Sequence, residues 1–561
     1  METIVFHNTI FMYLMKKINK SIIRDITILL FAGIVFTTYQ YEKNLSPEFF
    51  LFFIQMVLLW FIFQITYQLF SNSKALVLIG LLVWGLGEAV WGLGQLYNYF
   101  PAKHALFKTT GSFLNSGPYG GFIALMFPLT LHYWLFYRYK NKLIAYLFLF
   151  TGAVFLMVFP ATLSRTAWIA AIVGCAVVLL SDKRIIVKLR LFWKRRRRQC
   201  ILGATILSLF LFVAAYGIYH LKKDSADGRL FMWKVTTLAI REFPVKGTGL
   251  GGFPAAYAKA QIEYFKSERT NETEKLVAGS PEYAFNEYLQ IFLEQGLFGF
   301  ILFLLLSFLI IKSGIQNKQI GATGSFVTLS VFAFASYPYQ LWQFPVVWVL
   351  LGSICTAGSG SKKARTYHYG SKKTVLSVLL LGALCFVSVI CASQQKVFFQ
   401  AKKEWKKLQP LYTVKAYKSV TDDYAALYPV LNYEPKFVFE YGIVLNAAGQ
   451  REKADSIFAR GLERSCDPMF YNVKGRNYHE MGEYDKAEKC YINSTLLLPE
   501  RIYPYYLLTK LYADSANYQP EKMLRAASAV LEKEPKVYSM AINEMRTEVK
   551  KILQEKGVSH E

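Results

Sequence analysis

An arginine lies between two apolar stretches in "PATLSRTAWIA", residues 160–170. An isolated guanidinium in such surroundings is costly. Arg165 is therefore a membrane-edge anchor, half of an ion pair, or the binding group for an anionic substrate. Ser164 and Thr166 flank it and can cap a helix start or bind the same oxygen-rich ligand. A planar guanidinium fork suits a phosphate or diphosphate where solvent is partly excluded. Arg229 and Arg241, in "GRLFMWKVTTLAIREF", are further cations that could meet such an anion or snorkel at a membrane rim. In "AFNEYLQIF", Asn286 and Glu287 supply an amide and a carboxylate. Asn286 either bonds sugar hydroxyls or holds its loop, and Glu287 either moves a proton or caps a helix. Trp168, Trp233, Tyr283 and Tyr288 have the ring types that stack on sugar faces, and membrane-interface anchoring uses the same types.

The elements that must position these residues are membrane helices. The 561 residues are 54% hydrophobic, 16% aromatic and only 18% charged, a balance suited to a polytopic membrane protein. Near-spanning apolar runs recur at 22–39, 48–69, 75–95, 118–136, 143–160, 165–180, 200–217, 290–312, 322–337, 341–356 and 374–392. These predict ten to twelve spans in an all-α bundle, with 165–180, 322–337 and 341–356 the shortest. "MKKINKSIIRD" precedes the first run without a small-residue cleavage pattern, so that run reads as a retained helix.

The net charge of +26 is concentrated in short loops. Residues 181–199 hold nine basic residues and one acidic; residues 357–373 hold five basic and none acidic. With the N-terminus inside, these loops and 137–142 and 312–319 all fall on the cytoplasmic side. Lipid headgroups are their partner, and nucleic acid is not. The outside then receives 96–117, 161–164, 218–289 and everything after 392.

The outside segment 218–289 is too long and too aromatic for a plain connector. "RLFMWKVTTLAI" predicts a short amphipathic helix lying on the membrane. "GTGLGG" lacks the spacing of a nucleotide-binding loop and instead permits a tight turn or a close approach. After 392 the chain turns to soluble helices: 393–433 as a linker with the first of them, and 434–561 as a helical domain. Gly449, Ala454 and Phe458 recur 33 positions later as Gly482, Ala487 and Tyr491. With Gly475, Tyr478 and Pro499, this region resembles the tetratricopeptide family over about 434–515, with a third pair or a cap beyond. That resemblance implies a surface for a peptide, a protein partner or a sister subunit, or a brace for the membrane part. Cys466 and Cys490 leave a disulfide open. No cysteine or histidine grouping has metal-ligand spacing, and no cofactor is expected.

Four polar or glycine-rich interruptions thus gather on one face: "KTTGSFLNSGPYGGF" with Asn115, the turn at Arg165, the 218–289 loop and "SYPYQLWQF". Their order matters. "GSFLNSGPYGGFIA", "TLSRTAW", "GRLFMWK", "PVKGTGLGGF" and "AFNEYLQIFLEQGLFG" together resemble the O-antigen ligase and polymerase superfamily, over roughly 20–356. Its members handle polyprenyl-linked glycans on the outer side of the bacterial inner membrane. The alternation of spans places the C-terminal domain on that outer, periplasmic side, and the resemblance implies a role for Arg165 in engaging a lipid-diphosphate donor. It also implies a second anion contact at Arg229. A histidine before the asparagine, proposed in the family to activate the acceptor hydroxyl, is here Phe285, which cannot take a proton. Glu287 is the first local substitute, then Glu282, then His220 or His104. The expected reaction is glycan transfer from a polyprenyl diphosphate to lipid A-core or another outer acceptor. Polymerisation of lipid-linked repeats, protein O-glycosylation and a non-enzymatic scaffold or transporter are the alternatives.

Overall fold

The computed structural model describes residues 20–41, 46–70, 72–199, 201–202, 205, 223–267, 270–357, 372–535 and 538–557. Most of the apolar run at 200–217, His220 and most of the basic loop 357–373 lie outside the described residues. The described chain is helical and the protein is an all-α, polytopic membrane protein. Seven helices are long and apolar enough to cross a bilayer: Ile22–Tyr39, Pro47–Leu69, Ser73–Leu96, Ser116–Tyr137, Lys142–Thr162, Glu287–Gln316 and Thr374–Thr413. Three shorter apolar helices, Arg165–Ser181, Ile320–Ala333 and Gln343–Thr356, occupy the shortest expected spans.

The short helices persist because protein, rather than lipid, surrounds them. Gly174 and Gly324 let Arg165–Ser181 and Ile320–Ala333 cross backbone to backbone: a Cβ on Gly174 would stand 2.6 Å from the Gly324 carbonyl. Small residues at such crossings are how membrane helices gain contact without a hydrophobic drive from lipid. Thr323, Ser325, Phe326, Thr328 and Leu329 are all buried there. At one end of the bundle, Arg24 and Gln64 donate to the carbonyls of Thr356 and Ser353, tying helix ends together. The basic loops lie toward this end, where Arg184 pairs with Asp182 at 3.1 Å.

At the other end the chain builds outward. The helix Lys223–Glu242 buries Phe231, Val235, Ala239 and Ile240 in a core with Phe253, Tyr257 and Phe265 of Phe253–Lys266. Its apolar face is therefore covered by protein, correcting the expectation of a helix lying on the membrane. Leu293 and Leu498 complete the same core, so the long loop is packed onto the C-terminal helices. Those helices form hairpins with the 33-residue spacing. Gly442 receives the ring of Phe458, and Gly475 receives that of Tyr491. Gly449 and Gly482 both take positive φ, 80° and 76°, where each first helix ends. Cys466 and Cys490 are free, and the Cys466 thiol donates to the Pro281 carbonyl instead of pairing.

One helix, Lys372–Thr413, runs without interruption through position 392. Its 42 residues extend about 63 Å, twice the thickness of a hydrocarbon core. Beyond the bilayer, Lys402 meets Glu48 at 2.6 Å, and the Tyr433 hydroxyl reaches the same carboxylate.

The helix Glu287–Gln316 breaks at Gly296, with φ 67° and ψ −173°. Twenty residues after the break suffice to span, and the segment before it belongs to the outer region. The loop "PVKGTGLGG" pairs with the break. The amides of Thr248 and Gly249 donate to the carbonyls of Leu293 and Glu294, and that of Leu297 to Pro244. The close approach this loop permits is thus made by the chain's own helix. A Cβ at Gly296 would lie 2.0 Å from the Val245 carbonyl oxygen. Gly296→Ala is expected to destabilise the protein by roughly 3 kcal/mol or more, from a glycine-only conformation plus the clash. Thermal unfolding in detergent beside Gly87→Ala, whose added Cβ meets nothing within 4 Å, measures it.

Candidate functional site

The turn before Arg165 is fixed from two sides. Thr162 is buried, Leu163 adopts a left-handed conformation (φ 50°), and the helix Arg165–Ser181 starts with Ser164 as its N-cap. Ser164 makes no side-chain cap bond. From the other side comes the helix Ser116–Ala124, started by Asn115, whose side chain accepts from the Gly117 amide at 2.9 Å. Gly120 of that helix lies so close that a Cβ would stand 2.8 Å from the Thr162 hydroxyl. The glycine-rich motif therefore seats the arginine turn. Glu88 and Gln95, buried on the span Ser73–Leu96, accept the amides of Ser112, Thr110 and Gly111 and hold the motif's approach.

Arg229 is brought to Arg165 by the helix Lys223–Glu242. It donates to the Ala335 carbonyl at 3.0 Å, beside the turn that follows Ile320–Ala333. Burial first, and then the nearby positive charge of Arg165, hold the Arg229 guanidinium below its ordinary pKa, with Tyr337 acting the other way. Two guanidinium groups therefore share one partly buried region. Phe285 completes it: its ring lies 5.5 Å under Arg229 and meets Tyr337 edge-on at 4.8 Å. Phe285 has positive φ (50°), which turns the chain into the helix starting at Glu287. Tyr337 stacks in turn on Tyr283, with ring centroids 5.1 Å apart.

Asn286 is the N-cap of that helix, its side-chain oxygen accepting from the amides of Tyr288 and Leu289. Glu287 is 1% exposed, and its carboxylate accepts from the Tyr339 amide at 2.6 Å. Tyr288 donates its hydroxyl to the Ser330 carbonyl, and Trp168 its indole N–H to that of Phe159. These four side chains are engaged in holding backbone. Trp233 likewise donates to the Ala284 carbonyl.

Arg241 is not part of the group. It is exposed, twelve residues beyond Arg229 on one helix, about 18 Å further along the axis. His104 accepts from the Leu106 amide on the loop preceding the glycine-rich motif. Tyr337 escaped the sequence reading. Its only signal was its place in the polar interruption 336–344.

Beside this group lies a cavity of about 1290 Å³. Tyr283, Glu282 and Tyr339 form part of its wall on the membrane side, and Tyr433, Arg464 and Asn472 part of its wall on the C-terminal helices.

Residues 153–304 match the O-antigen ligase family. A Rickettsia conorii protein named as a polysaccharide ligase is 31% identical over 139 residues, or 24% of this chain and 32% of that protein. The chain thus aligns with about a third of the length of that relative. The matched segment opens in the span before Arg165 and closes just past the break at Gly296, so it holds both arginines, the outer helices and the Phe285–Glu287 turn. On this segment the chain is similar to the O-antigen ligase family.

Proposed function

We propose that the chain transfers a glycan from a polyprenyl diphosphate to lipid A-core or another acceptor on the periplasmic face of a bacterial inner membrane. The observation that carries this reading is the pairing of Arg165 with Arg229 at one end of the bundle. Arg165 stands at the positive end of a helix dipole, with no acidic residue in the first turn. A second guanidinium beside it adds to the positive potential that an anionic ligand would meet there. A diphosphate supplies that anion and gains charge as it departs, so stabilisation grows toward the transition state.

The leaving group is already good, and no covalent nucleophile is required. The two arginines hold the diphosphate, and the acceptor oxygen approaches the anomeric carbon from the opposite side. Phe285, replacing the superfamily's histidine, fixes the Arg229 guanidinium through its ring face. Glu287, whose carboxylate carries the Tyr339 amide, holds the turn that presents Tyr337. Glu282 is exposed and on the cavity wall, and it is the carboxylate we assign to the acceptor's proton. The C-terminal hairpins, read as tetratricopeptide-like, brace the outer helices and close the cavity.

Orientation follows from charge. The basic loops mark the cytoplasmic end, and the arginine pair, outer helices and C-terminal hairpins share the opposite end. Membrane-impermeant thiol labelling of Ser181→Cys and Ser280→Cys in sealed right-side-out vesicles should mark the second and spare the first. The reverse pattern would place the site in the cytoplasm and end this reading.

Arg165→Ala should reduce glycan transfer by about two orders of magnitude, roughly 3 kcal/mol of transition-state stabilisation, with insertion and expression retained. Arg165→Lys should recover little, because a point charge does not reproduce a bidentate fork. Ordinary turnover by the folded alanine variant would make Arg165 a membrane-edge anchor. In a deletion strain, assembled polymer left on the lipid carrier supports ligation, whereas single repeats still reaching the acceptor indicate polymerisation.

For the proton, Glu282→Gln should lower turnover at least tenfold with donor affinity unchanged. Glu287→Gln keeps an oxygen for the Tyr339 amide and should remain within about threefold of the parent. Exchange of these two outcomes in steady-state assays would return the base to Glu287.

A further inference from the structure

At the end of the bundle away from the arginine pair, the helix that closes at Ser181 is followed after one residue by the helix Lys183–Arg195. That residue is Asp182, the C-cap of the first helix and the N-cap of the second. Its side chain accepts from the Arg184 amide at 2.9 Å. Its extended backbone (φ −82°, ψ 106°) turns the new helix off the axis of the old one. Arg138, just past the helix Met126–Tyr137, reaches the same carboxylate at 3.9 Å. The guanidinium groups of Arg138 and Arg184 both lie against the Tyr139 ring, at 4.9 and 5.3 Å. The start of Lys183–Arg195 is thus fixed by the ends of two membrane helices.

Its 13 residues extend about 20 Å and carry two faces. At about 100° per residue, Ile185, Ile186, Phe192 and Trp193 fall on one side. The six basic residues take the remainder, with Val187 and Leu191 between them. Phe192 is 53% and Trp193 48% exposed, so protein leaves the apolar side open. Arg196, Arg197 and Arg198 follow, and all nine basic residues of 183–198 are exposed. Among the described residues, Arg184 alone of the nine is in an ion pair, with Asp182.

Open apolar rings and unpaired cations on one helix, next to the end of a membrane helix, call for two kinds of contact at once. An anionic bilayer surface supplies both: acyl chains for the rings, and charged headgroups for lysine and arginine. A second copy of the chain would bring nine more like charges against the first. Nucleic acid would answer the charges and leave the rings uncovered. An acidic protein would have to displace lipid that Ser181 already places within reach.

We propose that Lys183–Arg195 lies in the plane of the membrane as a site for anionic phospholipid. Ile185, Ile186, Phe192 and Trp193 sink among the acyl chains, and the basic residues with Arg196, Arg197 and Arg198 collect charged headgroups around the end of the Arg165–Ser181 helix. This goes beyond attraction of a basic loop to headgroups: it fixes an orientation, an inserted face and a selectivity for lipid charge. It is independent of the reaction at the other end of the bundle.

The test uses the full chain in nanodiscs of equal parts phosphatidylglycerol and phosphatidylcholine. The photocrosslinker benzoylphenylalanine is placed at position 192 and, in a second preparation, at 187. Intact mass after irradiation identifies each lipid adduct. Position 192 should yield phospholipid adducts and position 187 about a tenth as many or fewer, because the two point to opposite faces. Phosphatidylglycerol should outnumber phosphatidylcholine at 192 by about tenfold, since each lysine or arginine near the surface favours charged lipid by roughly fivefold. Combining Lys188→Gln, Arg190→Gln, Lys194→Gln and Arg195→Gln should cut that ratio about threefold or more. About 1 M salt should do the same to the parent chain, where folding is not in question. An absence of adducts at 192, equal yields at the two positions, equal capture of the two lipids by the parent chain, or a ratio indifferent to both the substitutions and salt would overturn the proposal.

Discussion

A helix that leaves a bilayer while changing direction has to satisfy the backbone groups exposed by the break. Here the break is at Gly296, and the answer is another piece of backbone. Residues 244–249 lay their amides and carbonyls against 293–297, at a distance only glycine allows on both sides. A Cβ on Gly247 would stand 2.5 Å from the Glu294 carbonyl. Past this crossing, Glu294 accepts the amides of Gly251 and Phe253, so the start of the next outer helix is anchored to the same point. Asn286, Glu287 and the Phe285 turn ride on the segment before the break. Their positions relative to the membrane helices therefore depend on one backbone junction.

The junction also bears on where two like charges meet. Arg165 comes from the membrane bundle and Arg229 from the outer helices, so their repulsion acts across the boundary between the two parts. Flexible parts would simply drift apart. Contacts that hold them include the Ala335 carbonyl and Phe285 ring on Arg229, the Asn115-capped helix beneath the Arg165 turn, and Glu287 gripping the 337–341 turn. On the reading proposed above, a rigid pair of like charges is preorganised for an anion and needs no reorganisation when one arrives. This arrangement also accounts for the phenylalanine at position 285. A ring over a guanidinium orients it without adding a charge that would offset the pair, whereas a protonated histidine would add a third positive charge.

The spans were legible because lipid demands continuous apolar runs, and the shortest runs became helices shielded by protein. The gathering of Arg165 and Arg229 could also be read, because alternation of spans puts both on one side. Chemistry by side-chain type was less legible. Asn286, Tyr288 and Trp168 have the groups to bind sugar, yet each bonds backbone in this fold, a competition that sequence cannot weigh. Arg241 shares a motif region with Arg229, but a straight helix separates them by more than any side chain spans. The amphipathic face of Lys223–Glu242 was visible, and its partner was not, because Leu498 lies more than 250 residues away.

The same long-range packing decides what the C-terminal hairpins can be. A surface hung on a flexible linker could dock a partner without affecting the site. These hairpins instead share a core with the outer helices, bond Gln261 through the Leu497 carbonyl, and connect to the last span by unbroken helix. Glu48, at the head of a membrane span, meets both Lys402 and Tyr433. Motion of the hairpins is therefore motion of the cavity wall facing Tyr283. The distance between that wall and the arginine pair is therefore set by packed helices and not by a flexible linker.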